Sequence, residues 1–125
     1  MNTLPPSIDD RIIWDNWLSM FRFPVVSAAD EVGTFAALAD RSLTTGELAT
    51  AIGVDARALG IHLGMLAAMG FLERREGRWR ATAASRTWLH PQADGYAGPL
   101  IHRFKENQPF HVQLLETLRT GTRVQ

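Results

Sequence analysis

The stretch Leu43–Thr82, LTTGELATAIGVDARALGIHLGMLAAMGFLERREGRWRAT, decides the fold. Thr44 followed by Glu47 is a capping box, in which each side chain satisfies a backbone N–H at the start of a helix. Gly53 can adopt the left-handed conformation that ends this helix, and Asp55 is a good N-cap for a second one. The spacing therefore predicts two helices joined by a tight turn.

A short β-hairpin is predicted directly after the second helix. Gly70 ends that helix, and the segments FLERRE and RWRAT then flank Gly77. A helix-turn-helix followed by a hairpin is the winged-helix pattern. We place the core of the domain at residues 43–82.

Further helices are predicted on both sides of this core. Residues 8–40 read as N-terminal helices, with a break at Pro24 after Phe23 and an end or bend at Gly33. The short helical piece after Gly33 is expected to turn three residues inward: Phe35, Ala36 and Leu38. Residues 95–120 read as C-terminal helices, and Thr82 is expected to cap a short helix between the hairpin and them.

The fold class is thus mainly α, a winged-helix-like domain with one short β-hairpin and extra N- and C-terminal helices. Residues 1–125 are one domain's worth of chain. The chain stops soon after Gly121, which ends the last predicted helix, and we expect a domain boundary there. Whether it is a piece of a longer protein or a naturally short one stays open.

Composition excludes several classes of function. Lys+Arg and Asp+Glu both number 13, so nothing draws the whole chain to nucleic acid or to an anionic membrane. There are no cysteines, so disulfides and thiolate-metal sites are impossible. The N-terminus lacks the features of a signal peptide, and no apolar run reaches the ~20 residues that span a bilayer. We expect a cytoplasmic protein without a membrane partner.

The first helix carries more apolar and aromatic residues than one amphipathic stripe needs. One small domain has too few other elements to cover all of these residues. We therefore expect a second subunit to cover the remaining ones. We predict a homodimer, with an interface that contains Ile12, Ile13, Trp14, Trp17, Leu18 and Phe21.

The second helix of the core lacks the residues of a DNA-reading helix. Reading base edges needs polar side chains, whereas Arg57 and His62 are the only polar side chains in ARALGIHLGMLAAMG. The other large side chains of this helix are apolar and lie all around its circumference. This distribution predicts that the helix is buried on both faces. Four arginines of the hairpin suit phosphate contacts, and they keep a DNA-binding regulator as the alternative function: Arg74, Arg75, Arg78 and Arg80. The simpler interpretation is that they are solvated and protect a strand edge.

The chain resembles the N-terminal dimerisation domain of S-adenosylmethionine-dependent small-molecule O-methyltransferases. The resemblance is carried by DEVGTFAAL, LTTGELATAIGVD, RALGIHLGMLAAMGFLE, GRWRATAASRTWL and LLETLRTG, and covers nearly everything from Trp17 onward. His62 and Gly64 depart from it, since the family more often has Leu and a long polar residue there. Winged-helix regulators share only the middle part of the pattern.

This resemblance implies an intertwined homodimer that helps to close the acceptor pocket of a catalytic domain. Candidates for lining that pocket are Phe104, Phe110 and Trp14; the alternative for each is the core or the dimer interface. No glycine-rich loop after a strand is present, so we expect this chain to have no catalytic residues and to bind no S-adenosylmethionine. That cofactor would belong to the full-length enzyme of natural-product metabolism.

Other constellations point to structural roles. The histidines (His62, His90, His102 and His111) show no metal-ligand spacing and are expected to be solvated or locally bonded. Asp30 and Glu31 are expected to be solvated helix-end charges. Ser27 has no nearby His and acid in sequence, which argues against an activated nucleophile. Trp79 and Trp88 are expected in the core beneath the hairpin.

Overall fold

The computed structural model describes residues 11–105 and 109–122, but not the side chains of residues 11–21, 102–105 and 109. Its elements in chain order are α1 (Arg11–Val32), α2 (Thr34–Ala37), α3 (Thr45–Ile52), α4 (Ala56–Ala68), β1 (Leu72–Arg75), β2 (Arg78–Ala81), α5 (Ala83–Trp88), α6 (Gly98–Lys105) and α7 (Pro109–Thr120). The prediction of a mainly α, winged-helix-like domain with one hairpin is confirmed.

The ends of α3 and α4 are formed by the residues that the sequence predicts. The Thr44 hydroxyl accepts from the Glu47 N–H at 3.1 Å, and the Glu47 carboxylate accepts from the Thr44 N–H at 2.9 Å. Gly53 follows with φ of 69°. Asp55 then caps α4 by accepting from the Ala58 N–H at 2.9 Å.

The hairpin pairs β1 and β2 antiparallel, with Leu72 opposite Ala81 and Arg75 opposite Arg78. Glu76 and Gly77 both have positive φ, 55° and 76°, as a tight two-residue hairpin turn requires. Trp79 is buried beneath the strands, and its indole N–H donates to the Thr45 hydroxyl at 2.9 Å. The hairpin is therefore attached to the start of α3.

The predicted break at Pro24 is wrong, because α1 continues through it to Val32. Proline in a helix costs about 3 kcal/mol through a lost hydrogen bond and a steric clash. The residues that follow it, Val25 and Ser27 to Ala29, are buried in the core. Their packing outweighs the local cost of the proline. Gly33, with φ of 95°, ends α1 as predicted.

Two predictions of burial, for Ala36 and Trp88, are also wrong. Phe35 and Leu38 lie in the core, but Ala36 between them is exposed. Trp88, expected beneath the hairpin, is 57% exposed at the end of α5. The short helix α5 turns Ser85 inward instead, where its hydroxyl donates to the Phe71 carbonyl.

The core lies between α1, α4 and α7, with α3 and the hairpin closing one side. The Asp55 N–H donates to the Leu118 carbonyl at 2.7 Å, so the start of α4 lies beside the end of α7. Within the described residues no single helix could cross a membrane; only α3 and α4 together reach that length and apolarity, bent by 109°.

Candidate interaction surface

Helix α4 has one buried and one exposed face. Leu59, Leu63 and Leu66 are fully buried, whereas a stripe on the other side is exposed: Arg57, Ile61, Gly64, Met65 and Ala68. The predicted burial of both faces is therefore wrong for the single chain. Ile61 is 64% exposed and Met65 is 37% exposed. A helix that keeps such side chains in water is unpartnered on that side.

The exposed stripe borders an open groove of about 660 Å³ between α4 and α7, which we call the α4–α7 groove. Its lining is mainly apolar: Pro24, Val25, Ala58, Ile61, Met65, Phe110 and Leu114. Asp55, Arg57, Gln113, Thr117 and Gly121 supply the rest. At one end of the groove the start of α4 lies beside the end of α7, since the Asp55 N–H donates to the Leu118 carbonyl.

His62 is on the buried face of α4, contrary to the expectation of a solvated or locally bonded histidine. Its side chain is completely buried, and Nε2–H donates to the Val25 carbonyl of α1 at 2.8 Å. Nδ1 is buried without a hydrogen-bond partner. Burial lowers the pKa of His62, and the hydrogen bond to Val25 opposes that effect only in part. His62 is therefore a neutral group that joins α4 to α1.

A polar cluster, buried at Ser27 and His111, joins α1 to α7. His111 Nδ1 lies 2.5 Å from the Ser27 hydroxyl, and His111 Nε2 lies 3.4 Å from a carboxylate oxygen of Glu31. Arg119 approaches the other oxygen of Glu31 at 3.6 Å. Sequence reasoning missed this set and placed no His and acid near Ser27. Because Ser27 is completely buried, no substrate reaches it, and the cluster acts as a structural connection.

Asp30 is also bonded within the fold and not merely solvated. The Tyr96 hydroxyl donates to its two carboxylate oxygens, at 2.9 and 3.1 Å. Partial burial and the bond to Asp30 raise the pKa of Tyr96 to about 12. The bond fixes the loop before α6 against α1.

Three of the four hairpin arginines have partners within the chain. Arg78 donates to the Ser42 carbonyl at 2.9 Å and lies 3.2 Å from the Glu47 carboxylate. Arg80 pairs with Glu73 on the opposite strand. The Arg74 guanidinium lies 5.0 Å from the ring centre of Trp79. Arg75 is exposed on β1. Phosphate contacts would compete with these internal contacts.

The remaining predicted site residues divide into two groups. Phe110 is 39% exposed and lines the α4–α7 groove. Trp14, Phe104 and the other proposed interface residues (Ile12, Ile13, Trp17, Leu18 and Phe21) have side chains outside the described part of the structure. Among the described residues, no group of three His, Asp or Glu side chains is placed to hold a metal ion.

Comparison with known proteins places this arrangement in a family. A family model described as the O-methyltransferase dimerisation domain matches residues 16–91, from α1 to just beyond α5. The chain belongs to the O-methyltransferase dimerisation domain family. The family resemblance seen in the sequence is thereby confirmed.

Relatives of this dimerisation domain are methyltransferases. The chain is 30% identical over 119 residues to 3-hydroxy-5-methyl-1-naphthoate 3-O-methyltransferase of Streptomyces sahachiroi, covering 94% of this chain and 34% of that one. It is 26% identical to CalO1, a methyltransferase in calicheamicin biosynthesis solved in its SAH-bound form, with a TM-score of 0.69 over 80% of this chain and 31% of that one.

The fold itself recurs in an O-methyltransferase family 2 protein from Planctomyces limnophilus, solved in complex with apigenin. The TM-score is 0.80 at 22% identity, and the match covers 96% of this chain and 36% of that one. This dimerisation domain therefore spans about a third of the length of the relatives it matches.

Proposed function

We propose that this chain is the homodimer-forming domain of a S-adenosylmethionine-dependent O-methyltransferase that acts on a small natural-product acceptor. The observation that carries the proposal is the family match over residues 16–91. The naphthoate methyltransferase relative supports an aromatic acceptor. Arg57 is the only exposed polar side chain of α4, which is too little to read a DNA sequence. Three of the four hairpin arginines have partners within the chain, which weakens the case for a DNA-binding regulator. A cytoplasmic location accords with this function.

The proposed interface lies in the first half of α1. That segment carries more apolar residues than one small domain can bury: Ile12, Ile13, Trp14, Trp17, Leu18 and Phe21. The helix extends without interruption from Arg11 to Val32, and its second half is anchored in the core. An anchored helix with an apolar first half offers a stable surface to the same helix of a partner.

The second part of the proposed function is to close the acceptor pocket. Phe110 supports this role, since its partly exposed ring lines a groove that is mainly apolar. Phe104 and Trp14 are proposed for the same pocket from the sequence alone. Pockets for small molecules have such apolar linings, with few polar groups to set orientation.

The cofactor does not fit the described residues. S-adenosylmethionine sites of the expected kind place a glycine-rich loop between a parallel strand and a helix. In residues 11–105 and 109–122, the only strands are the two of the antiparallel hairpin. We therefore assign the cofactor and the methyl transfer to a catalytic domain outside this chain.

Sedimentation equilibrium of the 125-residue chain tests the dimer. We expect twice the mass of one chain at micromolar concentration. Trp17→Asp is expected to shift this to one chain's mass, because a carboxylate cannot be buried unpaired in an apolar interface. Arg75→Asp, on the exposed hairpin, is the control and is expected to leave the dimer intact. A wild-type monomer at high micromolar concentration would refute the proposed function.

A further inference from the structure

A polar cavity of about 300 Å³ lies between the α2–α3 loop, β2 and α5, and we call it the arginine cavity. Its lining includes Arg41, Arg80 and Arg86. We propose that this cavity binds a phosphoryl group, either as free inorganic phosphate or as the phosphate of a small organic molecule. The inference does not depend on the proposed homodimer or acceptor pocket, because none of the lining residues is assigned to either.

The fold brings the three arginines together from separate parts of the chain. Leu43 and Trp79 exchange two backbone hydrogen bonds, at 3.0 and 2.7 Å, which hold the end of the α2–α3 loop beside β2. Arg80 is the next residue of β2, and α5 begins two residues after this strand ends. The loop, the strand and the start of α5 are therefore neighbours, and the cavity lies where they meet.

Hydrogen bonds within the chain position two of the guanidinium groups. Arg41 Nε donates to the Ala37 carbonyl at 3.0 Å. Arg86 Nη1 donates to the Ala81 carbonyl at 2.7 Å. Because a guanidinium carries five N–H donors, both arginines keep donors for a ligand. Their planar groups match two oxygens of a phosphate at once.

The charge of the arginine cavity favours an anion. Arg41 and Arg86 form no salt bridge with a carboxylate of the described residues. Arg80 uses Nε for Glu73, which offsets part of its charge but leaves both terminal nitrogens for a ligand. Among the described lining residues, Asp40 supplies the one carboxylate against three guanidinium groups. The excess of positive charge selects an anion over a cation.

Backbone donors belong to the same cavity. In the part of the chain that the structure describes, the N–H groups of residues 39–42 donate to no acceptor. All four residues line the cavity. Successive backbone N–H groups of this kind can form a concave site for an anion. The Ser42 hydroxyl accepts from Arg78 Nε at 3.2 Å, so its own O–H can donate to a ligand.

A phosphoryl group uses these donors more fully than a carboxylate does. It presents at least three strong acceptor oxygens, so guanidinium groups from different elements can bind it together. DNA is a less suitable source of phosphate, because binding a duplex takes several contacts along its backbone. Arg74 and Arg78, elsewhere on the hairpin, already have partners within the chain.

A titration of the isotope-labelled chain with inorganic phosphate, followed by amide NMR signals at constant ionic strength, tests the site. We expect saturable changes in the signals of residues 39–42. Arg86→Gln is expected to raise the Kd for phosphate about tenfold or more, because a charge-assisted hydrogen bond is lost. Arg75→Gln is the matched control, since it removes the same charge at an exposed hairpin position outside the cavity, and its Kd should be unchanged.

A second variant and a second ligand complete the test. Arg41→Gln, on a different element, is expected to weaken binding like Arg86→Gln, and the spectra of both variants show whether the chain is still folded. Phenyl phosphate distinguishes the two sources of the phosphoryl group. Tighter binding of phenyl phosphate supports a small organic phosphate as the ligand, and tighter binding of inorganic phosphate supports the free anion.

Three results would overturn the inference. The first is the lack of a saturable change with either compound. The second is equal weakening by Arg86→Gln and Arg75→Gln, since the effect is then one of surface charge. The third is a short DNA duplex that binds more tightly than both compounds and displaces them. None of these results bears on the homodimer, whose mass is measured separately by sedimentation.

Discussion

At the scale of single residues, the surroundings of His62 link the stability of the fold to pH. It is fully buried, with one ring nitrogen bonded to the Val25 carbonyl and the other without a partner. Burial lowers the pKa of His62 from its ordinary value of about 6.5. As the pH falls below that value, the unfolded chain takes up the proton before the folded one, so the free energy of unfolding decreases.

We expect His62→Leu to flatten the acid side of the stability profile. In the wild type, protonation of this one group contributes a slope of up to about 1.4 kcal/mol per pH unit below pH 6.5. Leucine has a similar volume and no proton to bind, so this contribution disappears. Urea unfolding between pH 5 and 8 measures the slope for both proteins. Val112→Ala, at an exposed position of α7 without a titratable group, serves as the control and should retain the wild-type slope.

An unchanged slope in His62→Leu would contradict this account and would place the acid sensitivity on other groups. The sequence alone did not predict the effect, because the partner carbonyl lies 37 residues away on another helix. From the sequence, His62 is expected only to be solvated or locally bonded.

At the scale of elements, local signals explain which boundaries the sequence predicts correctly. The Thr44–Glu47 capping box, the Asp55 cap and the glycines after α3 and α4 act within a few residues, so their effect is readable from the chain. The predicted break at Pro24 is wrong because the packing of α1 in the core stabilises the helix by more than the proline costs locally. The exposed stripe of α4 was missed for a related reason: composition shows that a helix is apolar but not which face has a partner.

The Ser27–His111 contact is the element-scale interaction that we expect to couple α1 and α7. Ser27→Ala leaves His111 Nδ1 without its partner in a buried site, and we expect a loss of about 1–3 kcal/mol in the free energy of unfolding. Combined with His111→Leu in a double-mutant cycle, it should show a coupling energy of at least about 0.5 kcal/mol. Ser42→Ala, at the partly exposed position beside Arg78, controls for loss of a hydroxyl elsewhere. Additive effects of the two core changes would show that the two helices are held by apolar packing alone.

At the scale of the whole molecule, the domain combines a winged-helix shape with an exposed apolar face on α4. The shape alone suggests DNA binding, but α4 offers apolar residues where a reading helix offers polar ones. Arg78 and Arg80 are engaged with carboxylates of the same chain, which lowers the free positive charge of the hairpin. Helix α4 therefore exposes apolar side chains at the position where a DNA-reading helix exposes polar ones.

The acceptor-pocket role is tested in a chimera in which this chain replaces the matched third of the naphthoate methyltransferase. Phe110→Ala is expected to raise the KM for the aromatic acceptor about tenfold, equivalent to about 1.4 kcal/mol, with the KM for S-adenosylmethionine unchanged. The physical reason is the loss of an aromatic surface that lines the groove. Val112→Ala, two residues further on α7 and outside the groove, is the matched control. Sedimentation of both variants separates a pocket effect from dissociation of the dimer. An acceptor KM that is the same in Phe110→Ala and Val112→Ala would remove Phe110 from the pocket.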